Sequence, residues 1–320
     1  MELALPLPSA LFGAASVHPD GAWVRAQHEQ WSGQRPGDVV EACLHIAPHV
    51  PAERVLELAL LTTMFTGVDD LFEQADPHTG LAAYVAVIRA GRSPADGSPN
   101  LLEFGRVVER TRRAFGPQLY PRVVTAFEQW ALCVASGAAA ASGWDDLDSY
   151  LRFRRQDFGF DAMRVASEYG AGVDLTDLES SPLLDDLHTA CYEHALFVND
   201  LFSYRKEKQA GDGRNAVSVL VATEAMTPQD AINAVCERIT AAENAFGTQA
   251  RLLTRDGPEL RADVVEYVRW WRQVLGGNIA WSLTTPRYNG VRHPAASSLP
   301  THMVLHPERT EYRYATTVPS

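Results

Sequence analysis

The sequence predicts an all-α protein. Three observations carry that prediction. Apolar residues recur at helical spacing through most of the 320-residue chain. The strict alternation that marks a half-buried strand is essentially absent. The apolar stretches are punctuated by short Gly/Pro loops, such as 91–99 and 211–213. No repeat and no composition break divides the chain, so the expected architecture is one domain of ten or more helices.

The elements follow in order. Residues 1–18, rich in Pro, Ala and Ser, read as an extended arm. His18-Pro19-Asp20 is a helix start signal, and Trp23 and Trp31 follow at near-helical spacing. A short helix is expected over 37–48. Pro51 opens the next, and Val55, Leu56, Leu58, Leu60, Leu61 and Phe65 make 51–75 a buried helix. Helices over 79–91 and 100–115 flank the Gly91–Pro99 loop, and 117–141 is another. The segment 144–169 is helical with a break at Asp157-Phe158-Gly159. Long helices are expected over 182–208, 227–254 and 257–284, and the tail from Pro286 is weakly patterned.

The chain is 46% hydrophobic and 21% charged, the composition of a globular protein with a sizeable core. Its net charge of -12 and the lack of any basic stripe argue against nucleic-acid binding. Cys43, Cys133, Cys191 and Cys236 form no Cys-x-x-Cys pair and read as reduced core residues. The first residues lack the basic and apolar regions of a signal peptide, and no apolar run approaches a membrane span. The expected location is the cytoplasm, without membrane insertion.

Two acidic clusters interrupt apolar helices 130 residues apart. The first is Asp69-Asp70-Leu71-Phe72-Glu73, where Asp69 and Asp70 share a side with Glu73. In the second, Asn199, Ser203 and Glu207 are spaced i, i+4, i+8 and stay on one helical face. An amide oxygen, a hydroxyl and a carboxylate in one line suit a hard divalent cation such as Mg²⁺. Lys206 beside Glu207 could meet a phosphate as a point charge. The plainer readings are a solvated acidic helix end and an ordinary polar stripe. Both sit awkwardly beside Leu58–Val68 and Ala195–Val198, since carboxylates are costly in apolar surroundings.

Together these motifs resemble the class I terpene synthases, specifically the bacterial cyclases. That family carries an aspartate-rich DDxx(x)D/E motif and an Asn-Asp-x-x-Ser-x-x-x-Glu motif. Asn199, Asp200, Ser203 and Glu207 match the second in full. Arg287-Tyr288 follows Asn199 by 88 residues, Trp281 precedes that pair by six, and Arg154 precedes Asn199 by 45, all at family spacing. The resemblance covers roughly 20–288.

It implies a helical bundle around a central apolar pocket, with an α domain over 19–288, the arm over 1–18, and a tail over 289–320 that can fold over the active site. It implies three Mg²⁺ ions, with Asp69 as the first direct ligand, Asp70 and Glu73 in support, and Asn199, Ser203 and Glu207 around one ion. Arg154, Lys206, Arg287 and Tyr288 would grip a diphosphate. Asp157 would link the sensing arginine to an effector at Phe158 or Gly159, and Arg152 and Arg155 compete with Arg154 for the sensing role. Phe65, Thr66, Phe158 and Trp281 would line the pocket.

The implied reaction is ionisation of a linear prenyl diphosphate and cyclisation of the cation, with farnesyl diphosphate as first substrate. Many bacterial fifteen-carbon cyclases carry Phe three residues before the first Asp. Here Thr66 stands there and Phe65 one earlier, so geranylgeranyl diphosphate is the alternative and geranyl diphosphate the third. A chain-elongating prenyltransferase is disfavoured because the second motif is of the Asn/Ser/Glu type. A noncatalytic helical binding protein is disfavoured because Asn199 and Glu207 are both present. A homodimer is common among relatives. Phe65 packing in the core, Trp270 and Trp271 as packing or partly exposed residues, and His194 as a packed or surface residue are the plainer expectations.

Overall fold

A computed structural model describes residues 2–6, 11, 16–33, 37–74, 80–135, 143–255, 260–289, 302–304 and 314–315. These residues are overwhelmingly helical. They fall into two compact units: Val17–Ala141 with Phe153–Glu179, and Met1–Ser16 with Ser142–Arg152 and Ser180–Ser320.

The first unit holds α1 (Gly21–Ser32), α2 (Asp38–Ile46), α3 (Ala52–Gln74), α4 (Leu81–Ala90) and α5 (Pro99–Ala135). Gly116 breaks α5: its φ of 70° and ψ of −175° are non-helical, and Pro117 starts the helix again. The two helices expected over 100–115 and 117–141 are therefore distinct. The loop before α5 lies flush against it, because a Cβ on Gly105 would sit 2.6 Å from the Ser93 Cα. Val24, Leu44, Val55, Leu56, Ala59, Val123 and Phe127 form the apolar interior. Each such large side chain, once buried, contributes about 1.5–3 kcal/mol.

α6 (Leu147–Asp157) and α7 (Phe160–Ala171) meet at the predicted break. Gly159 takes φ 68°, a left-handed turn that a side chain disfavours, and it hands the chain to Phe160. In α7 the buried carboxylate of Glu168 accepts from two Arg122 nitrogens, at 2.8 and 2.7 Å, and from the Leu175 N–H at 2.9 Å. A buried carboxylate held by three donors is compensated where a lone one would not be.

The second unit is built on α8 (Pro182–Ala210), which packs chiefly on α10 (Pro228–Leu253) and α11 (Ala262–Thr284). α8 starts with Pro182 in its first turn. It ends at Gly211, whose φ of 74° lets the Asp212 N–H return to the Glu207 carbonyl at 2.9 Å. From His194 to Arg205 every residue but Asn199 is buried, the signature of a helix surrounded by protein. α10 is capped by Thr227, whose hydroxyl accepts from the Asp230 N–H. A short α9 (Ala216–Thr223), not expected from the sequence, lies between them, capped by Asn215. α12 (Pro286–Asn289) closes the helical part.

A small antiparallel sheet is the other departure from the all-helical expectation. β1 (Glu2–Ala4) pairs with β2 (His302–Val304), and β2 with β3 (Tyr314–Ala315). β1 is thus held against β2. The Gln229 amide both accepts from the Ala4 N–H (2.8 Å) and donates to its carbonyl (3.0 Å), as a strand neighbour would. Leu5 is buried among the residues of α8 and α10, and Gly276 admits the Leu11 carbonyl, 2.5 Å from where a Cβ would stand. All four cysteines are free and buried, as expected. No helix among the described residues is long and apolar enough to cross a membrane.

Candidate active site

In the second unit α8 presents Asn199, Ser203 and Glu207 along one face, and α12 brings Tyr288 to the first of them. The Asn199 amide N–H donates to the Tyr288 hydroxyl over 2.7 Å, which leaves the amide oxygen as a donor atom toward a cation. Ser203 is buried, and its hydroxyl lies 3.5 Å from the Asp200 carbonyl. Glu207 is half-buried, and its Oε2 accepts from the Asn215 amide at 2.7 Å. Amide, hydroxyl and carboxylate oxygens are the hard donor set that Mg²⁺ takes, so this triad fits that ion. Among the described residues, no three His, Cys, Asp or Glu side chains group into a metal site.

Asp200, the second residue of the same motif, serves a different purpose. It is fully buried; its Oδ2 accepts from the Tyr150 hydroxyl at 2.5 Å and from the Ala216 N–H at 2.8 Å. Those bonds tie α8 to α6 and to the start of α9. The periodicity already places Asp200 off the line of Asn199, Ser203 and Glu207, which agrees with this role.

Tyr288 is buried, and its ring meets Trp281 edge-on with centroids 5.4 Å apart. Burial pushes the phenol well above the ordinary tyrosine range; the Glu207 and Asp200 carboxylates add to that, while the neighbouring Arg287 opposes it. Tyr288 therefore keeps its proton and remains a hydrogen-bond donor. Arg287 and Lys206 are exposed. Trp270 and Trp271 are both buried, the packing alternative of the two expected for them; Trp271 packs edge-on against Tyr267 and His188. His194 is wholly buried, 3.3 Å from Glu243.

In the first unit, Arg154 is half-buried near the end of α6, ion-paired with Asp157 and set over the Phe158 ring at 5.5 Å. Arg155 instead lies over the Phe160 ring at 5.4 Å, and Arg152, which falls in the second unit, is exposed. Phe65 packs against Phe127 and Trp130, with centroids 5.3 and 5.8 Å apart, the plainer expectation for it. Thr66 is exposed and its hydroxyl is turned back onto the Thr62 and Thr63 carbonyls of α3. Asp69, Asp70 and Glu73 belong to the last turns of α3, and their side chains lie outside the described residues.

The sequence reading missed Asn215 and Tyr150. Asn215 carried a usable signal, since an Asn directly before the largely apolar segment Ala216–Val221 is a helix-cap pattern. Tyr150 carried none, because only the fold brings it to Asp200.

Residues 61–245 match the sequence signature of terpene synthase family 2, C-terminal metal binding. A sesquiterpene synthase of Cyclocybe aegerita is 32% identical over 146 residues, 45% of this chain and 41% of that protein. A (3S,6E)-nerolidol synthase of Selaginella moellendorffii is 27% identical over 272 residues, 79% of this chain and 71% of that one. Among solved structures, the linalool/nerolidol synthase of Streptomyces clavuligerus in complex with 2-fluorogeranyl diphosphate superposes with a TM-score of 0.73. The sequence identity is 20%, covering 88% of this chain and 98% of that one. The germacradien-4-ol synthase of Streptomyces citricolor gives a TM-score of 0.69 at 16% identity, covering 88% and 98%. Both share the all-helical fold.

Proposed function

Because the chain belongs to terpene synthase family 2, we propose that it ionises a linear prenyl diphosphate, farnesyl diphosphate first among the candidates, and cyclises the resulting cation. The observation that carries this reading is the Asn199, Ser203 and Glu207 face, with the Asn199 amide oriented by Tyr288. The names of relatives that are sesquiterpene and nerolidol synthases support the fifteen-carbon substrate. Geranylgeranyl diphosphate is the second reading, favoured by Thr66 where a bulkier Phe is common.

Three Mg²⁺ ions, when bound, would supply positive charge to the departing diphosphate. Asn199, Ser203 and Glu207 would hold one, and Asp69, with Asp70 and Glu73 in support, the others. Arg154, Lys206 and Arg287 orient the diphosphate by charge, and Tyr288, kept protonated, donates to it. The allylic C–O bond breaks with its electron pair leaving on the diphosphate. The allylic cation is then attacked by a distal double bond of the same chain, and loss of a proton or capture of water ends the sequence. The Trp281 and Phe158 ring faces stabilise passing positive charge, and apolar walls keep water away until then. We place this activity in the cytoplasm, in a homodimer.

The test is incubation of the purified protein with geranyl, farnesyl and geranylgeranyl diphosphates, with and without Mg²⁺, followed by gas chromatography–mass spectrometry. A Mg²⁺-dependent cyclic product from one of them bears the reading out and fixes the chain length. A folded protein that releases neither hydrocarbon nor alcohol from any of them overturns it.

A further inference from the structure

We propose that Asn215 is a positioning residue for the cation-binding triad, holding Glu207 in place while it caps α9. This rests on the reading of Asn199, Ser203 and Glu207 as metal ligands. Asn215 is fully buried, and its side chain is fully committed. The amide oxygen accepts from the Val217 N–H at 2.9 Å, which is the helix cap. The two amide hydrogens go to the Asp200 carbonyl at 2.6 Å and to Glu207 Oε2 at 2.7 Å; the Ser203 hydroxyl lies 3.5 Å away.

A cap needs only the oxygen. Serine or aspartate would serve it equally well, and neither can make the other two bonds. The residue type is therefore set by the two donors, one of which ends on Glu207.

The chain delivers Asn215 to this point through a tightly fixed turn. Gly211 reverses the backbone, Asp212 bonds back to the Glu207 carbonyl, and Arg214 folds onto the Asp212 carboxylate through its backbone N–H and guanidinium, at 2.9 and 3.0 Å. The Asn215 N–H then meets the Gly213 carbonyl at 2.9 Å.

A neutral amide is the suitable partner for a metal-ligating carboxylate. It orders a long, rotamer-rich side chain before the cation arrives, and it does so without the positive charge that a Lys or Arg would set against that cation.

The experiment is isothermal titration of the full chain with Mg²⁺ in the presence of inorganic diphosphate, alongside thermal melting. Asn215→Ser keeps the cap oxygen and cannot reach Glu207. It should melt near the wild type and bind Mg²⁺ about 10–100-fold more weakly. Asn215→Asp, which keeps both cap and length, should weaken binding at least as much, and it replaces the serine variant in the comparison if that one melts early. In a Glu207→Ala background either substitution should add no further loss, because the interaction it removes is already gone. Wild-type affinity in both variants overturns the proposal, and so does an equal loss in the Glu207→Ala background, which would mean that Asn215 acts through the fold alone. Wild-type protein that takes up no Mg²⁺ and diphosphate strikes down the functional reading itself. Wild-type binding that Asn199→Ala abolishes and Asn215→Ser leaves intact sinks only the role of Asn215.

Discussion

The Asn199 amide and the Tyr288 hydroxyl lie 2.7 Å apart, although 88 residues separate them in the chain. Tyr288→Phe keeps the ring and its edge contact with Trp281 and removes only the hydroxyl. Asn199 then loses the partner that orients it. Turnover should fall about tenfold or more, and the Mg²⁺ concentration for half-maximal rate should rise. A Mg²⁺ titration of steady-state turnover checks both, with the melting temperature as control for the fold.

Arg154 and Arg152 separate the candidates for diphosphate sensing. Arg154 is ion-paired with Asp157 beside Phe158, whereas Arg152 is exposed. Arg154→Lys keeps the charge and loses the planar fork, so kcat/KM should fall about tenfold or more. Arg152→Lys should leave it unchanged. The reverse pattern would move the sensor to Arg152.

Asp200 governs stability. Asp200→Ala takes away the acceptor of both the Tyr150 hydroxyl and the Ala216 N–H in a fully buried setting. A loss of about 3 kcal/mol is expected, read as a lower urea midpoint. Loss of activity at full stability would instead make Asp200 a direct participant in the site.

His28 sets a pH dependence of stability. It is buried, with Nε2 at 3.1 Å from the Thr63 hydroxyl, and burial lowers its pKa from the ordinary 6.5. The unfolded chain therefore takes up the proton first as pH falls. Stability tied to His28 is whole above about 6.5 and declines below it, down to the folded-state value. The melting temperature should drop more between about pH 7.5 and 5.5 in the wild type than in His28→Gln. Equal drops would assign the effect to other groups.

Much of this was legible in the sequence because it is local. Helical periodicity and Gly/Pro punctuation gave α1–α8, α10 and α11, and a Gly at 159 gave the break between α6 and α7. The spacing of Asn199, Ser203 and Glu207 gave their shared face. α9 escaped because its eight residues are short for a helical period and include three β-branched Val at alternate positions, Val217, Val219 and Val221. The strands escaped because two or three residues are too few to show alternation, and the β1–β2 pairing joins the two ends of the chain, Glu2 to Val304. The Tyr150–Asp200 bond and the burial of both Trp270 and Trp271 belong to tertiary packing, which adjacency along the chain does not encode.

The buried stretch of α8 between His194 and Arg205 has a consequence for how this enzyme can change. The same helix supplies the interior of its unit and the proposed ligand face, and Asn199 is the one residue of that stretch that packing does not claim. In a saturation library, positions 194–207 should tolerate few substitutions, for two distinct reasons in alternation: survivors of folding would fail at the ligand positions, and survivors of catalysis would fail at the packing positions. Variation in product should therefore accumulate on other helices, where a side chain can be exchanged without endangering both properties at once.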